Sequence, residues 1–104
     1  MAHWGALGQV KPAAATLTTG YTVLGTKHAT VQVIMANTGS AATVRVSHAV
    51  VGATDSLTQY LLYDLSLPSG TTVSTAKFTA NSLDVIRVYS SSGNVVFNIN
   101  GIEE

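Results

Sequence analysis

Thr43-Val44-Arg45-Val46-Ser47-His48-Ala49-Val50 places Val44, Val46 and Val50 on one side and Thr43, Arg45 and Ser47 on the other. An apolar residue at every second position is the period of a β-strand, because successive side chains point to opposite faces. The run therefore predicts a half-buried strand. The same alternation spreads outward from it. Leu17, Thr19, Tyr21 and Val23 alternate with Thr18, Gly20 and Thr22, and Val31 and Val33 lead into the two-sided apolar run Ile34-Met35-Ala36. Ile86 and Val88 oppose Val85, Arg87 and Tyr89, while Val95, Phe97 and Ile99 oppose Val96, Asn98 and Asn100. Apolar spacing at i, i+3, i+4 and i+7, which a helix needs, is missing from these segments.

Turn chemistry falls between the runs: Leu24-Gly25-Thr26, Asn37-Thr38-Gly39-Ser40, Gly52-Ala53-Thr54-Asp55-Ser56, Leu67-Pro68-Ser69-Gly70, Ala80-Asn81-Ser82 and Ser92-Gly93-Asn94. Glycine and asparagine accept positive φ, and the roughly 8–12-residue spacing is that of an all-β sandwich or barrel. The pattern predicts about seven strands, over 16–24, 27–36, 42–51, 57–66, 71–79, 83–90 and 94–101. The expected fold is a single antiparallel β-sandwich, jelly-roll or Ig-like.

The 104 residues suffice for one domain with a folded surface of about 5,500 Å². Charged residues are only 10% of the chain, against about 25% in typical soluble domains, and five basic residues balance five acidic ones. Without a basic surplus no long-range field draws in nucleic acid or an anionic membrane, and neither is expected as a partner. A neutral, charge-poor exterior fits a surface covered by copies of itself or by a larger partner, so a homo-oligomer is expected, a trimer before others. The absence of cysteine removes disulfides, thiolate nucleophiles and cysteine-ligated metals. Met1-Ala2-His3-Trp4-Gly5-Ala6-Leu7-Gly8 is unlike a secretory signal, and no apolar run approaches the roughly 18 residues of a spanning helix. Synthesis in the cytoplasm is expected.

Residues 1–13 differ from the rest, with Gly5, Gly8 and Pro12 breaking the pattern around Trp4, Leu7 and Val10. They read as an extended arm that packs these three anchors on a neighbouring subunit, ahead of a β-sandwich domain over 14–104. Residues 59–67, Gln-Tyr-Leu-Leu-Tyr-Asp-Leu-Ser-Leu, are apolar on both faces. One face of an isolated sandwich strand should be wet, so Tyr60, Leu62 and Tyr63 join the candidate subunit interface.

Chemical sites are sparse. His3, His28 and His48 are not spaced as paired metal ligands, and a structural histidine is the simpler reading of His48. Asp55 with Thr54 and Ser56 falls short of a calcium loop, and Asp84 after Asn81-Ser82 reads as a turn cap bonded to backbone amides. The hydroxyl-rich sequence contains no Gly-x-Ser-x-Gly elbow and no phosphate-binding glycine loop. Tyr60, Tyr63 and Tyr89 could stack on sugars, although strand tyrosines usually pack in cores and interfaces. No catalytic, metal or cofactor-binding residue is assigned, and no cofactor is expected.

Read in order, Leu7-Gly8-Gln9-Val10-Lys11-Pro12, Thr16-Leu17-Thr18, Tyr21-Thr22-Val23, Ala36-Asn37-Thr38-Gly39, Gln59-Tyr60-Leu61-Leu62-Tyr63-Asp64, Asp84-Val85-Ile86-Arg87-Val88-Tyr89 and Val96-Phe97-Asn98-Ile99-Asn100-Gly101 resemble small β-sandwich virion structural proteins of tailed bacteriophages. The resemblance implies a non-enzymatic component of the virion. It points to a capsid decoration (cement) protein on the capsid surface, made in the host cytoplasm, with the major capsid protein as its partner. The alternative it implies is a tail- or fibre-associated protein with a host-glycan adhesive role.

Overall fold

The computed structural model describes the backbone of residues 3–104 and the side chains of residues 5–104. Its strands are β1 (His3–Val10), β2 (Thr18–Thr22), β3 (Ala29–Asn37), β4 (Ala42–Ala49), β5 (Tyr60–Leu67), β6 (Thr72–Ser74), β7 (Phe78–Ala80), β8 (Val85–Ser90) and β9 (Val95–Glu103). The first pairs with the last and the others follow inward: β1 with β9, β2 with β8, β3 with β6 and β7, β4 with β5, all antiparallel. This is one long ribbon folded back on itself. Two further pairings, β3 with β9 and β4 with β8, roll the ribbon into two sheets. The first sheet runs β1-β9-β3-β6 with β7 also on β3, and the second runs β2-β8-β4-β5. Of the two sandwiches expected, this order selects the double-sheet jelly roll over the Ig arrangement.

The alternating residues do what their period predicts. Val44 and Val46 of β4, Val31, Val33 and Met35 of β3, Ile86 and Val88 of β8 and Val95, Phe97 and Ile99 of β9 fill the space between the sheets. The folded surface, 5295 Å², agrees with the area expected from chain length. Val50 departs from the expectation. β4 ends at Ala49, and Val50 enters a 3₁₀ turn, Val50–Gly52, where it is exposed.

Three segments differ from the sequence reading. Residues 3–10, expected within the arm over 1–13, form an edge strand of the chain's own sheet, in register from His3↔Glu103 to Val10↔Phe97. A register shift between Ala6 and Gly8, together with Gly5 at φ 105°, absorbs the glycines that looked like breakers. The expected strand 71–79 is split into β6 and β7. At the break, Thr75 N–H donates to Val33 O (2.9 Å) and Thr75 Oγ1 accepts from Val33 N–H (3.1 Å), so a side chain stands in for one ladder bond. Residues 57–59 of the expected strand 57–66 form a 3₁₀ turn instead, capped by Ser56, whose Oγ accepts from Thr58 N–H.

One flank of the sandwich is shut and the other is not. On the β1–β2 flank Gly8 and Gly20 lie so close that a Cβ on Gly8 would stand 2.4 Å from Gly20 O. On the opposite flank β5 is separated from the β6–β7 link by a groove of ≈ 280 Å³. The outer face of the second sheet, running from that open flank across β5, β4 and β8, carries the candidate site.

Candidate functional site

The outer face of the second sheet is built from residues paired across strands. Arg45 on β4 faces Tyr89 on β8, and Ser47 faces both Tyr60 on β5 and Arg87 on β8. Paired residues share a face, so the polar half of the β4 alternation is gathered into one surface. Around Asp64, which sits at φ 52°, the β4–β5 register shifts and β5 bulges. The bulge lets consecutive residues Tyr63 and Asp64 both reach Arg45.

The result is a stacked row. The Arg45 guanidinium carbon lies 4.3 Å from the Tyr63 ring centroid and 4.4 Å from that of Tyr89. Its Nε donates to Asp64 Oδ1 at 2.6 Å. Tyr60 packs edge-on to Tyr63, with centroids 5.0 Å apart and planes at 82°, and its hydroxyl donates to Asp55 Oδ2 at 3.1 Å. The bond to Asp64 raises the Arg45 pKa further, so its charge is permanent. Burial, then the bond to Asp55, raises that of the Tyr60 phenol, which keeps it a donor at neutral pH. Tyr63 is 49% exposed, with Leu61 and Leu65 exposed beside it on the same strand. Tyrosine and arginine, held rigid and ringed by aliphatic side chains, are the composition of interaction hot spots. The outer face of the first sheet is different, mixing the amides Gln9, Gln32, Asn98 and Asn100 with Ile34, Ala36 and Val96 and carrying no aromatic row, with Gln9 Nε2 donating to Asn98 Oδ1 at 2.8 Å.

The residues expected at an interface are thus divided. Tyr60 and Tyr63 stand together in the row. Leu62 pairs with Val46, packs against the core and lines the groove with Leu61 and Phe78. Leu7 and Val10 are partly buried against the chain's own core, as part of β1 and not of a free arm. The Trp4 side chain lies outside the described residues. Arg45, Asp64 and Leu65 went unassigned at the sequence level. The outward phase of Arg45 could have been read, but its partners are set by long-range register and a left-handed aspartate.

His48 and Asp84 also meet. His48 Nε2 is 2.7 Å from Asp84 Oδ2, which accepts from Asn81 N–H at 2.9 Å, while Oδ1 accepts from Val51 N–H at 2.9 Å. Asp84 is 2% exposed. Burial raises its pKa, but the donors from Val51, His48 and Asn81 outweigh that and leave it below the ordinary aspartate value. Both carboxylate oxygens are occupied in tying the end of β4 to the turn before β8, so the pair is a clasp. The reading of Asp84 as a cap on backbone amides and of His48 as a structural histidine holds. Among the described residues, no group of three or more His, Asp or Glu is placed to hold a metal ion.

No family model matches the chain, and neither does any curated protein. Solved structures do match. A chain of the infectious bursal disease virus Gx strain superposes with a TM-score of 0.59 at 11% identity, over 99% of this chain and 32% of that one. A chain of the T13 IBDV viral particle gives a TM-score of 0.58 at 7% identity, over 99% and 30%. The likeness is one of fold, and this chain spans about a third of the length of the chains it matches.

Proposed function

We propose that this chain is a non-enzymatic structural protein of a virion, and within that class a capsid decoration protein. It binds across junctions between major capsid protein subunits, with no cofactor, nucleic acid or membrane as partner. The observation that carries this reading is the stacked row Tyr60–Tyr63–Arg45–Tyr89 on the outer face of a jelly roll's second sheet, beside its open flank, an architecture common in viral shells. The likeness over 99% of the chain to part of a viral-particle chain supports the virion setting by analogy of fold. The bulge at Asp64 and the exposed flank of β5 support a docking role for this face. Binding only the assembled shell stabilises it by mass action, by RT ln(1 + [L]/Kd).

Counting copies on purified particles and measuring shell rupture on heating test the proposal. Decoration requires many copies over the shell, a higher rupture temperature with the protein bound, and loss of both in Tyr63→Ala and Arg45→Ala variants. A few copies confined to one vertex would move the reading to a tail or fibre part, with Tyr60, Tyr63 and Tyr89 as its glycan-stacking surface.

A further inference from the structure

The two ends of the sandwich are chemically unequal. Loops 23–28, 50–59 and 81–84 gather at one end, as the registers Ala29↔Ala80, Ala49↔Val85 and Ser47↔Tyr60 require. The loops of the other end, 11–17, 38–41, 68–71 and 91–94, hold Lys11 and Leu17 and otherwise only Asn, Thr, Ser, Gly, Ala and Pro. Leu24, Val50, Val51, Leu57 and Leu83, five of the eight large exposed hydrophobics among the described residues, lie at the first end. None lies at the second among those residues.

Two of the five are held there against backbone preference. Val51 has φ 52° and is 62% exposed; Leu83 has φ 68° and is 50% exposed. A left-handed conformation suits glycine or asparagine and strains a bulky or β-branched side chain. The turns themselves need no such residue: Leu83 N–H donates to Val23 O and Val51 N–H to Asp84, bonds any residue could make. Strain at an exposed apolar position is accounted for when the side chain is covered by something outside the monomer.

We infer that this loop end is a self-association face whose occupant is a second copy of this chain. Charge favours a copy, and size sets how tightly it is held. The molecule measures 40 × 27 × 21 Å, and eight- or nine-residue strands lie along the longest dimension. Its end therefore presents a cross-section of about 450 Å² before roughness, so two ends cover about 900 Å² between them, the size class of a weak, reversible pair. The five apolar side chains carry no charge, and charges of both signs lie around them, Lys27 and Arg87 against Asp55, Glu103 and Glu104. A face of uniform apolar character with a mixed rim is self-complementary, which a two-fold axis uses and a head-to-tail ring does not. The inference adds to the proposed function a surface distinct from the Tyr–Arg face, and rests on that reading only for its place in a virion.

Sedimentation or light scattering across concentration tests it, on the full chain and on a Val51→Asn/Leu83→Asn variant. Asparagine suits both backbone angles, so the variant folds at least as stably while losing the apolar contacts. The wild type should pair reversibly in the high-micromolar range, and the variant should dissociate about thirtyfold more readily. Tyr63→Ala, on the Tyr–Arg face, should leave the pair intact. A wild type that stays monomeric up to millimolar concentration overturns the inference, as do a closed trimer or a variant that pairs as tightly as the wild type. A monomer that still decorates particles overturns this inference alone; a stable pair absent from particles supports it and overturns the virion reading.

Discussion

Replacing Asp84 by alanine removes the acceptor of three donors at once: Val51 N–H, Asn81 N–H and His48 Nε2. An orphaned buried donor costs about 1–3 kcal/mol. Exposed Val51 and half-buried His48 can recruit water in part, which puts the expected loss at about 3–5 kcal/mol, as for a broken buried pair. A 104-residue domain has about 5–15 kcal/mol in total, so the variant should sit near the edge of folding. At about 4–8 °C per kcal/mol, its Tm should drop by at least ~12 °C. Asp84→Asn keeps one acceptor oxygen and should lose about half as much free energy. The pH dependence has a definite sign. Asp84 is depressed in the folded state, so its contribution is complete above the ordinary aspartate value of about 3.9 and is lost as pH falls through the lower folded value. Denaturant unfolding followed by far-UV circular dichroism at pH 7 and pH 3 measures both effects. Asp84→Asn should show a shallower acid loss than the wild type. An Asp84→Ala protein within 1 kcal/mol of wild type at pH 7, or an unchanged acid limb in Asp84→Asn, would refute the clasp.

Other perturbations probe the remaining parts of the argument. Phe97→Ala empties the largest fully buried side chain and should cost about 3–5 kcal/mol in chemical denaturation. Gly101→Ala would set a Cβ 1.8 Å from Thr30 O, so β3 and β9 must part locally; accelerated hydrogen exchange at Thr30 and Gly101 is the expected readout. Ser47 is fully buried with no partner for its hydroxyl, and Ser47→Ala should stabilise by about 1 kcal/mol, checked as a rise in Tm. Val51→Gly trades about 1–2 kcal/mol of left-handed strain for about 0.5–1 kcal/mol of chain entropy, and should raise Tm slightly.

The strand content was legible because Val44/Val46, Ile86/Val88 and Val95/Phe97/Ile99 repeat the period that two-layer burial demands. Strand order was not, since pairing first with last is a property of long-range register that no local window contains. β1 was read as an arm because Gly5, Gly8 and Pro12 are breakers in isolation. In the fold, Gly8 is required by the approach of Gly20 across the sheets. Half the site was visible, as Tyr60 and Tyr63 in a strand apolar on both sides. The other half, Arg45 and Asp64, depends on a bulge produced by one left-handed residue. The apolar end was hidden for a related reason: Leu24, Val51 and Leu83 are far apart in sequence, and only the crossing of three loops brings them to one surface.

Pairing the opening strand with the closing one also governs how the protein is born. At about 5–20 residues per second, the 84 residues between Val10 and Val95 take about 4–17 seconds to synthesise, and β1 waits that long for β9. The second layer, β2-β8-β4-β5, can close once Ser90 has emerged, but the first has no centre until β9 follows. Ribosome-tethered lengths lacking β9 would carry a bare edge on β3 and half-wrapped valines, so the nascent polypeptide depends on chaperones until that strand emerges.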